Sequence, residues 1–234
     1  MVTRTSQERF RTDKGVFDEF TKRNLFELQS RSFYDEIVGP LFVGKESNVF
    51  IAKKGSKKVI IKIYRVQNAD FKRMFEYIKQ DDRYCTLRNK RREIIFAWTQ
   101  REYKNLLRAD KGKVTVPKAI AVKNNVLIEE FIGDDEPAPP LKDAYPEEPQ
   151  TFFDELIEEM RKLYKIGLVH GDLSSFNILN RDGNPVLIDF SQTTLVKTPN
   201  SEELLVRDIK NVLHFFKKLG IKADPEEIIA KIKK

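Results

Sequence analysis

The sequence predicts an α+β protein of two lobes, in which a β-rich first lobe precedes a short, mainly helical second lobe. Three observations lead to this prediction. Residues 37–64 contain apolar runs broken by a Lys-Gly-Ser turn, as in consecutive strands. Apolar stripes with helical spacing follow at 89–109 and again after Thr151. Between these helices, residues 133–150 contain five prolines, which indicates an extended linker with bends.

These signals divide the chain into four segments. Residues 1–36 are predicted to form an N-terminal extension with a helix at 14–32. The first lobe spans residues 37–132, the hinge and linker span 133–150, and the truncated second lobe spans 151–234.

The elements of the first lobe follow from apolar runs and turn residues. Strands are predicted at 48–52 and 59–64, and a further pair at 119–122 and 126–131 flanks an Asn-Asn turn. The basic, aromatic stretch 71–92 is predicted to be partly helical and mobile. The first lobe should therefore be a sheet of short strands with one long helix against it.

The helices of the second lobe are predicted from capping residues. Thr151 and Asp154 have the spacing of a capping box, and Gly167 is expected to end that helix. Ser201 is predicted to cap the next helix, and Asp224–Pro225 to begin the last one.

Composition limits the class of protein. The 43 basic and 36 acidic residues give a formal net charge of +7, which is compatible with a nucleotide or an RNA-rich partner. Cys85 is the only cysteine, so an internal disulfide is excluded and a cytoplasmic setting is favoured. No apolar run approaches about 18 residues, the length that a membrane span needs. We expect a monomeric protein without a membrane span.

The strongest chemical signal lies in the second lobe. The run Leu168–Leu179 contains Asp172 and Asn177 five positions apart, and Asp189 follows Asn177 by twelve positions at the end of an apolar strand. The turn Arg181–Asn184 predicts a hairpin, which would bring Asn177 and Asp189 close together.

These three side chains suit phosphoryl transfer, which depends on positioning and charge neutralisation. Asp189 and Asn177 offer oxygen ligands for Mg²⁺, with Mn²⁺ as the alternative metal. Asp172 remains to orient or deprotonate the acceptor, or to be the acceptor itself. The order His-x-Asp-Leu-x-x-x-Asn, then apolar-apolar-Asp, is that of the protein-kinase catalytic loop and metal strand. The two lobes are therefore predicted to form a protein-kinase-like fold that uses ATP.

Lys62 lies inside an apolar strand, where a charge needs a partner. Alternation places Lys62 on one face with Ile60 and Tyr64. Glu102 lies on the apolar stripe of the helix at 89–109, and we expect it to pair with Lys62, which in a kinase holds the phosphates of ATP. The alternative is that Glu102 lies at the edge of the stripe and reaches water.

Two further stretches are candidate nucleotide contacts. The loop between the first two strands has one glycine and fails the glycine-rich phosphate patterns, so it is either a plain hairpin or a phosphate loop. Its candidate residues are Gly44, Lys45, Glu46, Ser47 and Val49. The backbone of Glu130 and Ile132 is expected either to hydrogen-bond an adenine edge or simply to end a strand.

The motif departs from ordinary protein kinases in two ways. Gly171 stands where an arginine normally precedes the catalytic Asp, so control through a phosphorylated activation loop is not expected. Only 45 residues follow Asp189, without an Ala-Pro-Glu motif, so no standard groove for an extended peptide is expected.

Over residues 14–220 the sequence resembles the RIO family of atypical protein kinases. The motifs that carry this resemblance are Gly44–Val49, Ile61–Arg65, Glu130–Gly133, His170–Asn177 and Ile188–Gln192. The Lys-Ile-Tyr-Arg, Asp-Leu-Ser and Asp-Phe-Ser-Gln segments are similar to the first, Rio1-like subfamily, although Glu46-Ser47 is closer to the second. About 40 residues precede the phosphate loop, too few for the winged-helix domain of the second subfamily. The lack of a long charged tail suggests the archaeal type.

The resemblance implies a role for each site residue. Lys62 would bind the ATP phosphates and pair with Glu102, Asp172 would be catalytic, and Asn177 and Asp189 would bind metal. It also implies autophosphorylation on serine, and ATP hydrolysis coupled to maturation of the small ribosomal subunit.

Two other functions remain open from the sequence. One is a partner-dependent phosphotransferase of another kinase-like family, which would share His-Gly-Asp and Ile-Asp-Phe but not the intervening Ser-Ser-Phe-Asn. The other is a scaffold that binds pre-ribosomes and only senses nucleotide. The basic stretch Arg83–Arg92 is either an rRNA contact or a solvated loop.

Overall fold

The structure is a computed structural model that describes residues 17–66 and 70–234. The described residues contain six α-helices, which are α1 (Glu19–Ser30), α2 (Phe71–Lys79), α3 (Arg91–Lys111), α4 (Pro149–Lys165), α5 (Ser201–Lys217) and α6 (Pro225–Lys233). They also contain nine strands, which are β1 (Glu36–Val43), β2 (Ser47–Lys54), β3 (Lys57–Tyr64), β4 (Ala119–Lys123), β5 (Val126–Glu130), β6 (Leu168–Val169), β7 (Ile178–Arg181), β8 (Asn184–Leu187) and β9 (Thr194–Leu195).

The first lobe is built on a five-stranded antiparallel sheet in the order β1-β2-β3-β5-β4. The alternation predicted for β3 is confirmed. Val59, Ile61 and Ile63 pack into the apolar cluster on one face of the sheet, whereas Tyr64 packs on the other face with the apolar stripe of α3. The side chain of Lys62 therefore lies on the face that looks toward α3 and the second lobe.

Helix α1 lies against the β4–β5 end of this sheet. Its N-cap is Asp18, whose carboxylate accepts a hydrogen bond from the Thr21 N–H at 2.7 Å. The predicted helix at 14–32 is thus present over 19–30, while residues 14–16 lie outside the described residues. The fully buried Asn125 donates to the Thr21 hydroxyl at 2.9 Å and to the Tyr64 carbonyl at 3.0 Å.

The stretch at 71–92 is partly helical, as predicted. It forms α2 and a short 3₁₀ turn, Asp82–Tyr84, which pack beside α3. Helix α3 begins and ends two residues later than the predicted 89–109.

The first helix of the second lobe starts earlier than the capping signal indicated. The helix α4 begins at Pro149 and its N-cap is Glu148, without a side-chain capping bond, so the predicted box of Thr151 and Asp154 is wrong. Proline fits the first helical position because its fixed φ is helical and it needs no N–H partner there. The predicted start therefore lies inside the first turn.

The cap of α5 is also corrected. Asn200 is the N-cap, and Ser201 is the first helical residue, whose hydroxyl donates to the Val196 carbonyl at 2.5 Å. The last helix agrees with prediction, because Asp224 accepts from the Glu227 N–H and Pro225 follows it.

The apolar core of the second lobe joins α4, α5, α6 and the short strands. It includes Phe152, Leu156, Ile209, Phe216 and Ile232, all nearly inaccessible to solvent. The predicted hairpin is present, since β7 pairs with β8 in a register that ends at Arg181 and Asn184. Within the described ranges, no helix has the length and apolar character to cross a membrane.

Replacement of Asn125 by alanine should destabilise the first lobe. The change removes two donated hydrogen bonds and leaves the Asn24 amide, which donates to Asn125 Oδ1 at 3.0 Å, without its buried acceptor. We expect the free energy of unfolding, measured by urea denaturation, to fall by about 2 kcal/mol. Asn89→Ala, at an exposed position, is the control and should cost little. Equal unfolding curves for the two variants would contradict this account.

Candidate active site

Lys62 is held between two carboxylates. Its Nζ donates to Glu102 Oε1 and to Asp189 Oδ1, both at 2.8 Å. Glu102 comes from α3 and Asp189 from the loop after β8, so three separate elements meet at one ammonium group. The Tyr64 hydroxyl donates to the second oxygen of Glu102. The predicted pairing of Lys62 with Glu102 is present, and Glu102 is fully buried and does not lie at a wet edge of the stripe.

The charges of Lys62 and Asp189 stabilise each other. Burial alone would lower the pKa of Lys62, but Asp189 and Glu102 raise that pKa well above its usual value. Burial likewise opposes ionisation of Asp189, yet the Lys62 ammonium lowers the pKa of Asp189 to about 2. Lysine and aspartate are therefore both charged at neutral pH, as an ion pair that binds phosphate and metal requires.

Asp189 lies in a conformation that few residues other than glycine adopt. Its φ is 62°, in the left-handed region, which costs free energy and is found disproportionately at functional sites. The Ile188 N–H donates to the Asn177 carbonyl at 3.0 Å, so the hairpin brings Asn177 and Asp189 together as predicted.

The side chain of Asn177 is oriented by the loop that carries Asp172. Its Nδ2 donates to the Asp172 carbonyl at 2.8 Å, and its Oδ1 has no hydrogen-bond donor among the described residues. Asp189 has one oxygen on Lys62, and its side chain is 37% exposed. The two residues, which the hairpin brings together, offer an amide oxygen and a carboxylate oxygen, and this donor set fits Mg²⁺.

Asp172 has a partner that the sequence did not assign. The Gln192 amide donates to Asp172 Oδ2 at 2.9 Å. Burial and the charge of Asp189 raise the pKa of Asp172. Gln192 belongs to a segment that carried the family resemblance, but nothing in its spacing indicated contact with Asp172.

Asp208 on α5 fixes the backbone around Asp172. Its carboxylate accepts hydrogen bonds from the Gly171 N–H at 2.7 Å and from the Leu173 N–H at 2.9 Å, and burial raises its pKa to about 7. Asn211, one turn later, donates to the Leu173 carbonyl at 3.1 Å. Sequence reasoning missed these residues. The available signal was an acidic residue on the apolar face of a helix, the same signal that identified Glu102.

A cavity of about 290 Å³ opens beside Lys62. Its walls are formed by Phe42, Gly44, Lys45, Glu46, Ser47, Lys62, Tyr64, Asp189 and Ser191. Four of the five loop residues predicted to contact nucleotide therefore line it. The fifth, Val49, does not, although it pairs with Lys62 in the sheet and shares its face.

The hinge residues make hydrogen bonds within the chain. The Glu130 carboxylate accepts from the Lys118 N–H at 3.1 Å, and the Ile132 carbonyl accepts from the Ala138 N–H at 2.9 Å. Gly133 permits this turn, because its φ is 137° and a Cβ there would lie 2.2 Å from the Glu136 carbonyl oxygen. Of the adenine contacts considered for Ile132, only its N–H group remains a candidate.

His170 supports the site without facing the cleft. Its ring is buried, lies edge-on to Phe190 with centroids 5.0 Å apart, and places Nε2 at 3.0 Å from the Ile188 carbonyl. Burial lowers the pKa of His170 to about 4. The ring is therefore neutral at physiological pH and packs against the segment that carries Asp189.

Comparison with known proteins identifies relatives over most of the chain. A family model described as the RIO domain matches residues 48–228. The chain is 40% identical over 223 residues to the RIO-type serine/threonine-protein kinases Rio1 of Haloferax volcanii and Methanocaldococcus jannaschii, covering 94% of this chain and 77% of each relative. It is 34% identical to human serine/threonine-protein kinase RIO1, covering 88% of this chain and 37% of that one.

Among solved structures, the chain is similar to the Rio2 kinase of Chaetomium thermophilum in complex with ADP/Mg²⁺ and phosphoaspartate. The TM-score is 0.71 at 23% identity, and the match covers 90% of this chain and 66% of that one. At this sequence identity the match shows similarity of fold alone. The predictions of a two-lobed protein-kinase-like fold and of the RIO family, with its archaeal Rio1-like subfamily, are confirmed.

The buried His170 should make stability depend on pH. Because its folded pKa lies near 4 and its ordinary value is 6.5, the unfolded chain binds a proton between these values that the folded protein does not. The contribution of His170 to stability should be full above pH 6.5 and fall toward pH 4, by roughly 3 kcal/mol. The His170→Gln variant, measured by urea denaturation across this pH range, should lose less free energy of unfolding than wild type as the pH falls.

The control is His214→Gln, which removes the exposed histidine and should follow the wild type. A wild-type profile parallel to that of His170→Gln would refute this assignment of the pH dependence.

Proposed function

The chain belongs to the RIO family of serine/threonine protein kinases, and on that premise we propose that it transfers the γ-phosphoryl group of ATP in a reaction coupled to maturation of the small ribosomal subunit. The acceptors proposed are serine hydroxyls, its own included, and water. The observation that carries the proposal is the single ammonium of Lys62 shared by Glu102 and Asp189, with Asp172 and Asn177 beside it.

Each site residue has a proposed task that follows from its surroundings. Lys62, held rigid by its two carboxylates, is suited to neutralise charge on the ATP phosphates. Lys45 and Ser47 line the same cavity and can contact phosphate oxygens, together with the backbone around Gly44. Glu130 and Ile132 stand at the hinge, where we propose that the Glu130 carbonyl and the Ile132 N–H recognise adenine, since the Glu130 N–H and the Ile132 carbonyl bond within the chain.

Asn177 and Asp189 are proposed to hold Mg²⁺, or Mn²⁺ in its place. When bound, the metal would neutralise the phosphate oxygens. The protein contributes the orientation of these ligands, since the Asn177 amide is fixed by the Asp172 carbonyl and Asp189 by Lys62.

Asp172 is proposed to handle the acceptor. The raised pKa makes its carboxylate a stronger base for a hydroxyl proton than an ordinary aspartate. A carboxylate in this position can also accept the phosphoryl group itself, and the solved Rio2 kinase relative is described as a phosphoaspartate complex. Serine, water and Asp172 are thus the three acceptors that an experiment must separate.

The proposed ribosomal partner has support on the surface of the first lobe. Arg88, Lys90, Arg91 and Arg92 are exposed at the start of α3. Lys90 Nζ lies 3.5 Å from Glu93 Oε1 but stays exposed, whereas Arg83 binds the fully buried Asp81 through Nη2 at 2.6 Å. We propose that the exposed group, without Arg83, contacts phosphates of the small-subunit rRNA.

Transfer from γ-labelled ATP tests the reaction. Wild type with Mg²⁺ should move label to protein, to free phosphate, or to both. Asp172→Ala and Asp189→Ala should each reduce this at least ~100-fold, because each removes a group that the transfer needs. The ratio of protein label to free phosphate separates kinase from ATPase, and hydroxylamine treatment removes label only from an acyl phosphate on aspartate.

Asp182→Ala, in the exposed hairpin turn, is the matched control and should retain activity. Wild type that binds ATP and transfers no label, with or without small-subunit precursors, would contradict the proposed reaction and favour a nucleotide-sensing scaffold.

Binding to small-subunit rRNA should depend on the basic group. Arg88→Gln/Lys90→Gln removes two exposed cations, so the slope of log K against log salt should become shallower by roughly 1–2. The control Lys57→Gln/Lys222→Gln removes two exposed cations elsewhere and should leave binding to this RNA closer to wild type. If both double variants lose the same RNA affinity, the attraction reflects only the overall positive charge, and no RNA site exists at the start of α3.

A further inference from the structure

A tyrosine outside the proposed catalytic set is connected to Asp172. The Tyr77 hydroxyl on α2 donates to the backbone carbonyl of Gln192 at 2.8 Å. The Gln192 side-chain amide donates in turn to Asp172 Oδ2 at 2.9 Å. Two hydrogen bonds thus join a helix of the first lobe to the carboxylate that is proposed to handle the acceptor.

The ring of Tyr77 is held by contacts that are independent of its hydroxyl group. The Arg101 guanidinium carbon lies 5.1 Å from the centre of the Tyr77 ring, and Trp98 packs edge-on with centroids 5.9 Å apart. Burial raises the pKa of Tyr77 to about 12, so its hydroxyl keeps the proton that it donates. A donor held this firmly can define the position of its acceptor.

The catalytic loop leaves room for this contact through Gly171. A Cβ at Gly171 would lie 2.7 Å from the Tyr77 hydroxyl and 2.9 Å from the Gln192 carbonyl, and the residue has a φ of 79°. A side chain there would thus displace both partners. Gly171, at the position where ordinary kinases have an arginine, therefore lies directly against the hydrogen bond between Tyr77 and Gln192.

Helix α3 also holds the segment Phe190–Thr193, through Asn105. Asn105 Nδ2 donates to the carbonyls of Phe190 at 3.2 Å and Thr193 at 2.8 Å, and Arg83 Nη1 donates to Asn105 Oδ1 at 3.1 Å. Residues on both sides of Gln192 are thereby fixed. The hydrogen bond from the Tyr77 hydroxyl restrains the backbone of Gln192 itself.

We propose that Tyr77 and Gln192 are positioning residues, which hold the carboxylate of Asp172 so that its other oxygen, Oδ1, faces the acceptor. Among the described residues, Oδ1 has no hydrogen-bond donor, whereas Oδ2 is occupied by Gln192. A carboxylate fixed through one oxygen cannot rotate freely, and catalysis falls steeply when a reacting group is misplaced. This inference rests on the proposed phosphoryl transfer.

The test separates positioning from simple packing by removing one oxygen atom. Tyr77→Phe keeps the ring between Arg101 and Trp98 and loses only the hydroxyl. We expect kcat for the transfer of label from ATP to fall about 10-fold, with KM for ATP within about 2-fold of wild type, because the hydroxyl acts on the acceptor side. Tyr84→Phe is the matched control, since the buried Tyr84 hydroxyl has no hydrogen-bond partner among the described residues. It should leave kcat unchanged.

A double variant tests whether Tyr77 acts through Gln192. Gln192→Ala alone should also lower kcat about 10-fold, and Tyr77→Phe/Gln192→Ala should be no more than about 2-fold worse than Gln192→Ala. Additive losses of about 100-fold, or a Tyr77→Phe variant with wild-type kcat, would overturn the inference.

A measurement without turnover makes failure of the inference distinguishable from failure of the proposed function. The side-chain amide signal of Gln192, identified by NMR through its loss in Gln192→Ala, should lie away from the solvated glutamine signals in wild type and in Tyr84→Phe. It should move toward them in Tyr77→Phe. A signal that Tyr77→Phe leaves in place would refute the proposal even for a chain that transfers no phosphoryl group.

Discussion

The ammonium group of Lys62 is the interaction on which the rest of the site depends. A buried charge costs several kcal/mol unless it is fully paired, and Lys62 is paired twice, with Glu102 and with Asp189. Because one carboxylate comes from a first-lobe helix and the other from a second-lobe loop, the pairing ties α3 to the sheet and one lobe to the other. Loss of either carboxylate would remove one of the two ion pairs that offset the burial of Lys62, so the three positions are constrained together.

The second lobe meets this cluster with a loop whose shape is set by α5. Asp208 and Asn211 bind backbone groups on both sides of Asp172, and they stand on a helix that is packed into the apolar core. A loop alone would place the Asp172 carboxylate loosely. A loop bound to a rigid helix keeps it in place, which is the condition for efficient transfer to an acceptor.

Several polar contacts from the first lobe reach Asp189 and the segment that follows it. Tyr77, Asn105 and Lys62 all reach it from the first lobe. His170 packs under it as a neutral ring, because burial disfavours the imidazolium. The left-handed backbone at Asp189 is therefore stabilised from several directions, and its side chain faces the cavity beside the glycine-containing loop.

The sequence by itself determined the order of elements, the family and the main charged residues of the site. Strand alternation placed Lys62 on the face opposite Ile61, and an acidic residue on an apolar stripe identified Glu102, because both patterns follow from local periodicity. Tertiary structure alone decided which distant groups complete the site. Gln192 bonds Asp172 across 20 positions and Asp208 bonds Gly171 across 37, and no local pattern encodes such separations. The capping signal at Thr151 likewise did not predict the start of α4. The helix begins two residues earlier, at Pro149, which fits the first helical position without a side-chain cap.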